Sequence, residues 1–321
     1  MRPRDCDLHV REFRKSDLSD VLNIAGVSFA REFEVTGFDQ DRIKKIVDQM
    51  FGILGRFFLG ISGRFGKESF KLFVAEICNR VVGMTMITNR GKVGYISTVM
   101  VHPDHRRQGI AKKLVNAALE YAQRRKMRRA VLHVIPTNLP AKNLYSKLGF
   151  KEFEKTLWLA AKIEWISAPE DVKGIKLIRF RRSHTNAVYH LIRSSEDPQH
   201  LDVFDINRGH LETTILERIF HFATVSRIVA ICDNRLIGYA EATYTTSEEA
   251  GQIDNVQVSP EMKGRGIEEM LIFEATSEVR KLGTKKIVGT ASTKRPELTE
   301  AMRKLGFEKN LELEGMFVEL K

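Results

Sequence analysis

The chain has 321 residues, 43% of them apolar and 29% charged, with a formal net charge of +11. That length suits two domains with cores of their own better than one, and the composition excludes a disordered or fibrous protein. No run reaches the ~20 apolar residues of a membrane-spanning helix; the richest, MFGILGRFFLGI at 50–61, is broken by Arg56.

The opening, MRPRDCDLHV, has no apolar h-region, so no signal peptide is expected. Residues 8–13 predict a strand, and Ser16 or Asp17 can cap the helix after it. Between 41 and 61 the residues Ile46, Met50, Leu54, Phe57 and Ile61 recur at helical spacing and predict a helix packed on a sheet. KLFVAEI and VVGMTMI predict two strands joined by the turn-like CNR, and GYISTVMV (94–101) a third. A helix follows from about 109 to 125, then the buried strand AVLHVI (130–135), then the helix LPAKNLYSKLG with Gly149 where a C-cap glycine belongs. Hairpins with one late strand–helix–strand unit imply an α+β domain, a mixed sheet carrying helices on its faces.

The pattern occurs twice. VMVHPDHRRQGIAKKL (99–114) matches VQVSPEMKGRGIEEML (256–271), and KLGF (147–150) matches KLGF (304–307), both at an offset of 157 residues. Upstream, NRVVG (79–83) answers NRLIG (234–238), and REFRKSD (11–17) answers IRFRRSH (178–184) more weakly. The chain therefore reads as a tandem duplication. APEDVKG (168–174) has the composition of a linker, which places one domain at 1–167 and the other at 175–321.

Charge is shared unevenly, with 30 Lys+Arg against 17 Asp+Glu in residues 1–165 and 22 against 24 in the remainder. The first half is expected to meet something anionic. RRKMRR (124–129) reads most simply as the solvated end of a helix. Nucleic acid is not the expected partner, because no helix-turn-helix and no aromatic stacking strip accompany the basic residues. The three cysteines lie far apart with no CxxC pair, which argues against a metal site and for a reducing, cytoplasmic setting.

In VHPDHRRQGIAKKL (101–114) a strand passes to a helix through a turn that is basic and nearly bare. The first backbone amides of a helix have no partner within it, and the positive end of its dipole lies behind them. Gly109 and Ala111 keep side chains away while Arg106 and Arg107 add charge, so the turn suits a phosphate or pyrophosphate. An ordinary helix start with surface arginines would look similar. The surroundings distinguish the two: an apolar strand and Pro103 precede the turn, and Asn138, Ala141, Tyr145, Gly149 and Phe150 follow as N-x-x-A-x-x-x-Y-x-x-x-G-F.

With these motifs the chain resembles the GNAT superfamily of N-acetyltransferases, most strongly over 72–160. The resemblance implies two tandem GNAT-like domains, each a mixed, mostly antiparallel sheet with flanking helices and a splayed parallel strand pair. It implies acetyl-CoA as co-substrate and no metal, with pantetheine bonded near Val99 and Val101. The pyrophosphate would sit on Arg107, Gln108, Gly109, Ile110, Ala111 and Lys112, with Arg106 beside it and Asn138 reaching the cofactor. Tyr145 would lie near the thioester sulfur. At its ordinary pKa of about 10 it stays protonated at neutral pH and can serve a departing thiolate.

Three routes to a base are open. Many members of the family carry a carboxylate on the fourth strand, but Ser97 and Thr98 stand there; Glu76 is a second route. The third is His133 with Tyr95, which resembles the Tyr and His of certain protein N-terminal amine acetyltransferases. Neutralising a peptide α-amine at pH 7 costs about 1.4 kcal/mol, against about 4.6 for a lysine side chain, so a histidine base suits the former. The acceptor is expected to be a primary amine on a peptide N-terminus or small molecule, with acceptor loops around 29–40 and 156–165.

The second copy keeps the frame and changes the groups. Arg106 becomes Lys263, Ala111 becomes Glu268, Asn138 becomes Arg295, Ala141 becomes Leu298, Tyr145 becomes Met302, Tyr95 becomes Gln252 and His133 becomes Thr290, while Gly109 persists as Gly266. Residues 175–321 are expected to be a degenerate domain that shapes a cleft, supports homodimerisation or binds a partner. The competing reading for the whole chain is a non-catalytic acetyl-CoA sensor or scaffold, which would need neither Tyr145 nor His133.

Overall fold

Along the chain the elements alternate much as the hydrophobic pattern requires. The structure, a computed structural model, describes residues 7–28, 70–206, 211, 224–244 and 250–321. The helix expected within 41–61 and the loop expected at 29–40 lie outside the described residues. The chain forms two compact units, Met1–Glu152 with Gly315–Lys321, and Phe153–Glu314.

In the first unit the order is β1 (His9–Glu12), α1 (Leu18–Ser28), β2 (Phe70–Ile77), β3 (Arg80–Arg90), β4 (Val93–Val101), α2 (Ile110–Arg124), β5 (Arg129–Val134) and α3 (Leu139–Lys147). Strands β1 to β4 pair as antiparallel neighbours, whereas β4 and β5 run parallel. Asp17 accepts from the Arg14 amide at 2.6 Å, which closes the entry to α1. At the β2–β3 turn Cys78 and Asn79 both take positive φ, as a two-residue hairpin requires.

Helix α2 buries Ile110, Leu114, Val115, Ala118, Tyr121 and Ala122, the stripe that a 3.6-residue period produces. That stripe packs on Ile87, Ile96 and Leu132. Helix α1 covers the other face with Val21, Ile24 and Ala25 against Val74, Met84 and Met100. Gly83 is where α2 comes closest to the sheet, since a Cβ there would lie 2.8 Å from the Met100 carbonyl and 3.1 Å from Leu114 Cδ1.

The second unit takes up β6 (Lys151–Lys162) from Phe153 onward, then β7 (Ile175–Arg179), α4 (Thr185–Ser195), α5 (Pro198–Val203), β8 (Thr224–Cys232), β9 (Arg235–Tyr244), β10 (Ala250–Val258), α6 (Ile267–Arg280), β11 (Lys286–Ser292), α7 (Pro296–Lys304) and the start of β12 (Glu308–Glu319). Here β10 and β11 form the parallel pair. The duplication holds in detail: a Cβ on Gly238 would lie 2.8 Å from Leu271 Cδ1, as one on Gly83 would lie 3.1 Å from Leu114 Cδ1. Asn255 has φ +52° where Thr98 has φ +56°. The α+β class and the mixed sheets are those the sequence predicts.

Residues 156–165 are not an acceptor loop. From Thr156 to Lys162 they are strand, paired antiparallel with Ser292 to Lys286 of β11, and Ile163–Trp165 is a single 3-10 turn. Their alternating buried side chains, Leu157, Leu159 and Ala161, belong to the core of the second unit. The last residues of the chain belong instead to the first unit. The Leu320 amide donates to the Arg128 carbonyl at 2.8 Å, Glu319 lies 3.0 Å from the Arg129 guanidinium, and Met316 is buried in the cluster that holds Tyr145 and Phe150. The first unit thus takes its last strand from the far end of the chain, and the second takes β6 from the first half of the sequence.

Cys78 is disulfide-bonded and Cys232 is free. Separation along the chain is therefore no sign that these cysteines are all reduced. Among the described residues no helix is long and apolar enough to cross a membrane, and no cluster of three metal-ligating side chains occurs.

Candidate active site

The site is built where β4 and β5 part. They pair only at Val93–Arg129, Gly94–Ala130 and Tyr95–Val131. Met84 and Met86 of β3 register with Met100 and Ser97, so β4 carries one extra residue, and Thr98 sits there at φ +56°. A bulge of this kind bends its strand and takes backbone groups out of the ladder. A β-branched residue in the left-handed region is costly and persists only where its surroundings enforce it.

Side chains alternate along both strands, and this decides which groups meet. Ile96, Leu132 and Val134 face α2 in the core. Tyr95 and His133 consequently share the opposite face. Tyr95 Oη lies 3.0 Å from His133 Nδ1, with ring centroids 5.7 Å apart, and the Arg90 guanidinium stands 4.8 Å from the centre of the Tyr95 ring. Both residues of the pair are half-buried. Glu76, another candidate base, is committed elsewhere: Arg11 Nε donates to it at 2.7 Å, and the same guanidinium bonds Asp17 at 2.7 and 2.9 Å.

At the open end of β4 the chain turns through Pro103–His105 and enters α2 at Gly109, whose φ is +77°. Arg107 also has positive φ, +65°. Gly109 offers no capping side chain, the first turn of α2 holds no acid, and the helical bonding starts with the Lys113 amide on the Gly109 carbonyl at 3.1 Å. The amides of Ile110, Ala111 and Lys112 therefore have no acceptor within the helix. A Cβ on Gly109 would meet nothing within 4 Å, so the space before the amides is open. Arg107, Gln108 and Lys112 are exposed around it, while Ile110, 1% exposed, anchors the turn in the core.

Two expected cofactor residues do something further. Arg106 Nε donates to the Val101 carbonyl at 3.2 Å, so that the carbonyl and the guanidinium hold the turn together. Asn138 is the N-cap of α3, its carboxamide oxygen accepting from the Ala141 amide at 3.2 Å. Val99 is half-buried beside the bulge. Tyr145, on the last turn of α3, is 6% exposed and 5.9 Å from the Phe150 ring, centre to centre. Burial pushes its hydroxyl up to about 12, so it stays protonated throughout the neutral range.

Three features escape the sequence motifs: the Thr98 bulge, the Arg106–Val101 contact and the chain end beside Arg128. The motif places Val99 and Arg106 near the turn, but nothing in the string marks which residue is extra or which carbonyl a guanidinium finds.

Comparison with known proteins agrees with this architecture. The model of the acetyltransferase (GNAT) family matches residues 46–150 and again 186–307. An uncharacterized N-acetyltransferase of Methanocaldococcus jannaschii is 30% identical over 152 residues, 45% of this chain and 61% of that protein. Another, from Archaeoglobus fulgidus, is 39% identical over 90 residues, 26% of this chain and 61% of its own length. The matches thus span about three fifths of these curated relatives. Among solved structures, a tandem GNAT protein from the clavulanic acid biosynthesis pathway superposes with a TM-score of 0.66 at 15% identity, covering 98% of this chain and 99% of that one. A GCN5-related N-acetyltransferase from Sphaerobacter thermophilus gives 0.67 at 16%, covering 99% and 97%. At such identities the likeness is one of fold.

Proposed function

The chain belongs to the acetyltransferase (GNAT) family, and we propose that its first domain, Met1–Glu152 with Gly315–Lys321, transfers an acetyl group from acetyl-CoA to a primary amine. The observation that carries this reading is the conjunction, in one copy, of parted parallel strands, a bare helix N-terminus and the Tyr95–His133 pair at 3.0 Å. The residues fit the coenzyme: the space before Gly109 is open, no carboxylate faces it from the first turn of α2, and Arg107 and Lys112 supply positive charge.

In this reading Arg107, Gln108, Gly109, Ile110, Ala111 and Lys112 hold the diphosphate through backbone amides. Val99 and Val101 lie along the pantetheine, with Arg106 and Asn138 at its edges. Acetyl-CoA brings the acyl group as a thioester, and the chain's task is to bind it, orient an amine and move protons. His133 takes a proton from the incoming ammonium, directly or through one water, while Tyr95 holds the imidazole by the 3.0 Å contact. Tyr145 donates a hydrogen bond to the sulfur. With its pKa at about 12, full transfer of its proton to a thiolate of ordinary basicity is uphill by about 5 kcal/mol, so hydrogen bonding is its better role.

A peptide α-amine is the favoured acceptor, because about 1.4 kcal/mol exposes its lone pair at pH 7, whereas a lysine side chain needs about 4.6. The test is thiol release from acetyl-CoA over N-terminal peptides, lysine peptides, polyamines and aminoglycosides, with Tyr145→Phe and His133→Ala beside the unmutated chain. Turnover is expected with an acceptor of the first group. Measurable acetyl-CoA affinity without turnover on any acceptor would make the chain a sensor or scaffold.

A further inference from the structure

The second copy does more than lack catalytic groups. Glu268 stands where the first copy has Ala111 and is 1% exposed. The Gly264 amide, equivalent to that of Arg107, donates to both of its carboxylate oxygens, at 3.2 and 3.3 Å. The carboxyl group occupies the very turn that, in the first copy, is bare; burial pushes its pKa up, and the Gly264 amide works against that. Arg295 stands where the first copy has Asn138; it is 7% exposed, whereas Asn138 is exposed. Its Nη2 donates at 2.6 Å to the carbonyl of Val256, the counterpart of Val99 beside the bulge.

Further bonds hold both ends of this arrangement. Arg295 Nη1 reaches Glu196 at 3.3 Å, and Gln257 Nε2 donates to the same carboxylate at 2.7 Å. Ser195 Oγ donates to Gln257 at 2.8 Å, and Lys263 Nζ reaches the Ser195 carbonyl at 3.1 Å and Glu297 at 3.2 Å. Val256 is 3% exposed, where Val99 is half-buried. Residues equivalent to three coenzyme-binding positions that are exposed or half-buried in the first copy are thus buried together, Glu268 and Arg295 each bonded to a backbone group the coenzyme would use.

We infer that the second domain is a self-liganded copy of the coenzyme site, Glu268 replacing the diphosphate and Arg295 the pantetheine, so that the chain binds one coenzyme A where its duplication would suggest two. The inference rests on the reading that the first domain's cleft holds acetyl-CoA. Burying a carboxylate and a guanidinium is costly unless they are bonded; Nη1 and Nη2 of Arg295 are, while its Nε lies 3.8 Å from Glu297 without a hydrogen bond. A diphosphate would have to displace the Glu268 carboxyl from the Gly264 amide, and pantetheine would have to displace Arg295 from the Val256 carbonyl, before either could bond there.

Calorimetric titration of the full chain with coenzyme A tests this. The unmutated chain should take up one equivalent, and the Glu268→Ala/Arg295→Asn variant, its folding checked by thermal melt, one more than the unmutated chain. Uptake of two equivalents by the unmutated chain, or no gain in a folded variant, overturns the inference. If the unmutated chain binds none while the variant gains one, the inference stands and the assignment of the first domain fails. A measurement on the unmutated chain needs no variant: coenzyme A should slow amide exchange at residues 106–112 and leave 263–269 unchanged. Slowing at 263–269 overturns the inference.

Discussion

Tyr95 and His133 meet at 3.0 Å on two parallel strands whose pairing ends at Tyr95 and Val131. The contact stands where the ladder stops, so the pair bridges the mouth of the cleft instead of filling a sheet interior. A histidine base contributes about 10²–10⁴-fold in rate. His133→Ala should lower kcat/KM at least about 100-fold with little change in acetyl-CoA affinity. Tyr95→Phe, which keeps the ring under Arg90 but not the hydrogen bond, should cost about tenfold. Equal and negligible losses in both would remove the pair from the chemistry.

Tyr145 yields a prediction about alkali. Its pKa rises from an ordinary value near 10 in the unfolded chain to about 12 in the fold, through burial. A raised folded value means that stability is fully present below pH 10 and declines as the pH climbs towards 12. The loss across that window should be about 3 kcal/mol larger in the unmutated chain than in Tyr145→Phe, measured by urea unfolding at successive pH values. Identical alkaline slopes would mean that the hydroxyl is not buried as described.

Gly109 separates binding from folding. At φ +77° any side chain is strained by about 1–2 kcal/mol, yet an added Cβ touches no protein atom within 4 Å. Gly109→Val should leave the chain folded, with a modest drop in melting temperature. Acetyl-CoA affinity should fall at least tenfold, because the branched side chain enters the space before the amides. An unchanged Kd in isothermal titration would show that no diphosphate rests there.

How much of this the sequence carried depends on the range of the interaction. Hydrophobic period and turn residues are local, so the β2–β3 hairpin, α2 with its buried stripe and the glycines at 109 and 149 were legible. The 157-residue offset exposed the duplication, and through it the loss of Tyr145 and His133 equivalents in the second copy. What stayed hidden is non-local. Glu76 reads as a solvated strand carboxylate until Arg11, 65 residues earlier, is placed beside it. The exchange of the final strands is equally silent, since an alternating pattern says that a segment is a strand but not which neighbour it joins.

That exchange makes the first unit depend on the end of the chain. Met316 is 1% exposed among Tyr145, Phe150 and Leu132, and Val318 Cγ2 would lie 3.6 Å from a Cβ on Gly149. Truncating a fully buried methionine costs about 2–5 kcal/mol through lost contacts and the cavity left behind. Because that cavity adjoins α3, Met316→Ala should weaken acetyl-CoA binding as well as stability, although Met316 belongs by sequence to the second copy. Deleting residues 315–321 should go further, exposing the edge of β5 at Arg128 and Arg129 and abolishing binding outright. If the truncated chain were to bind acetyl-CoA with undiminished affinity, the first unit would have to be complete without its borrowed strand.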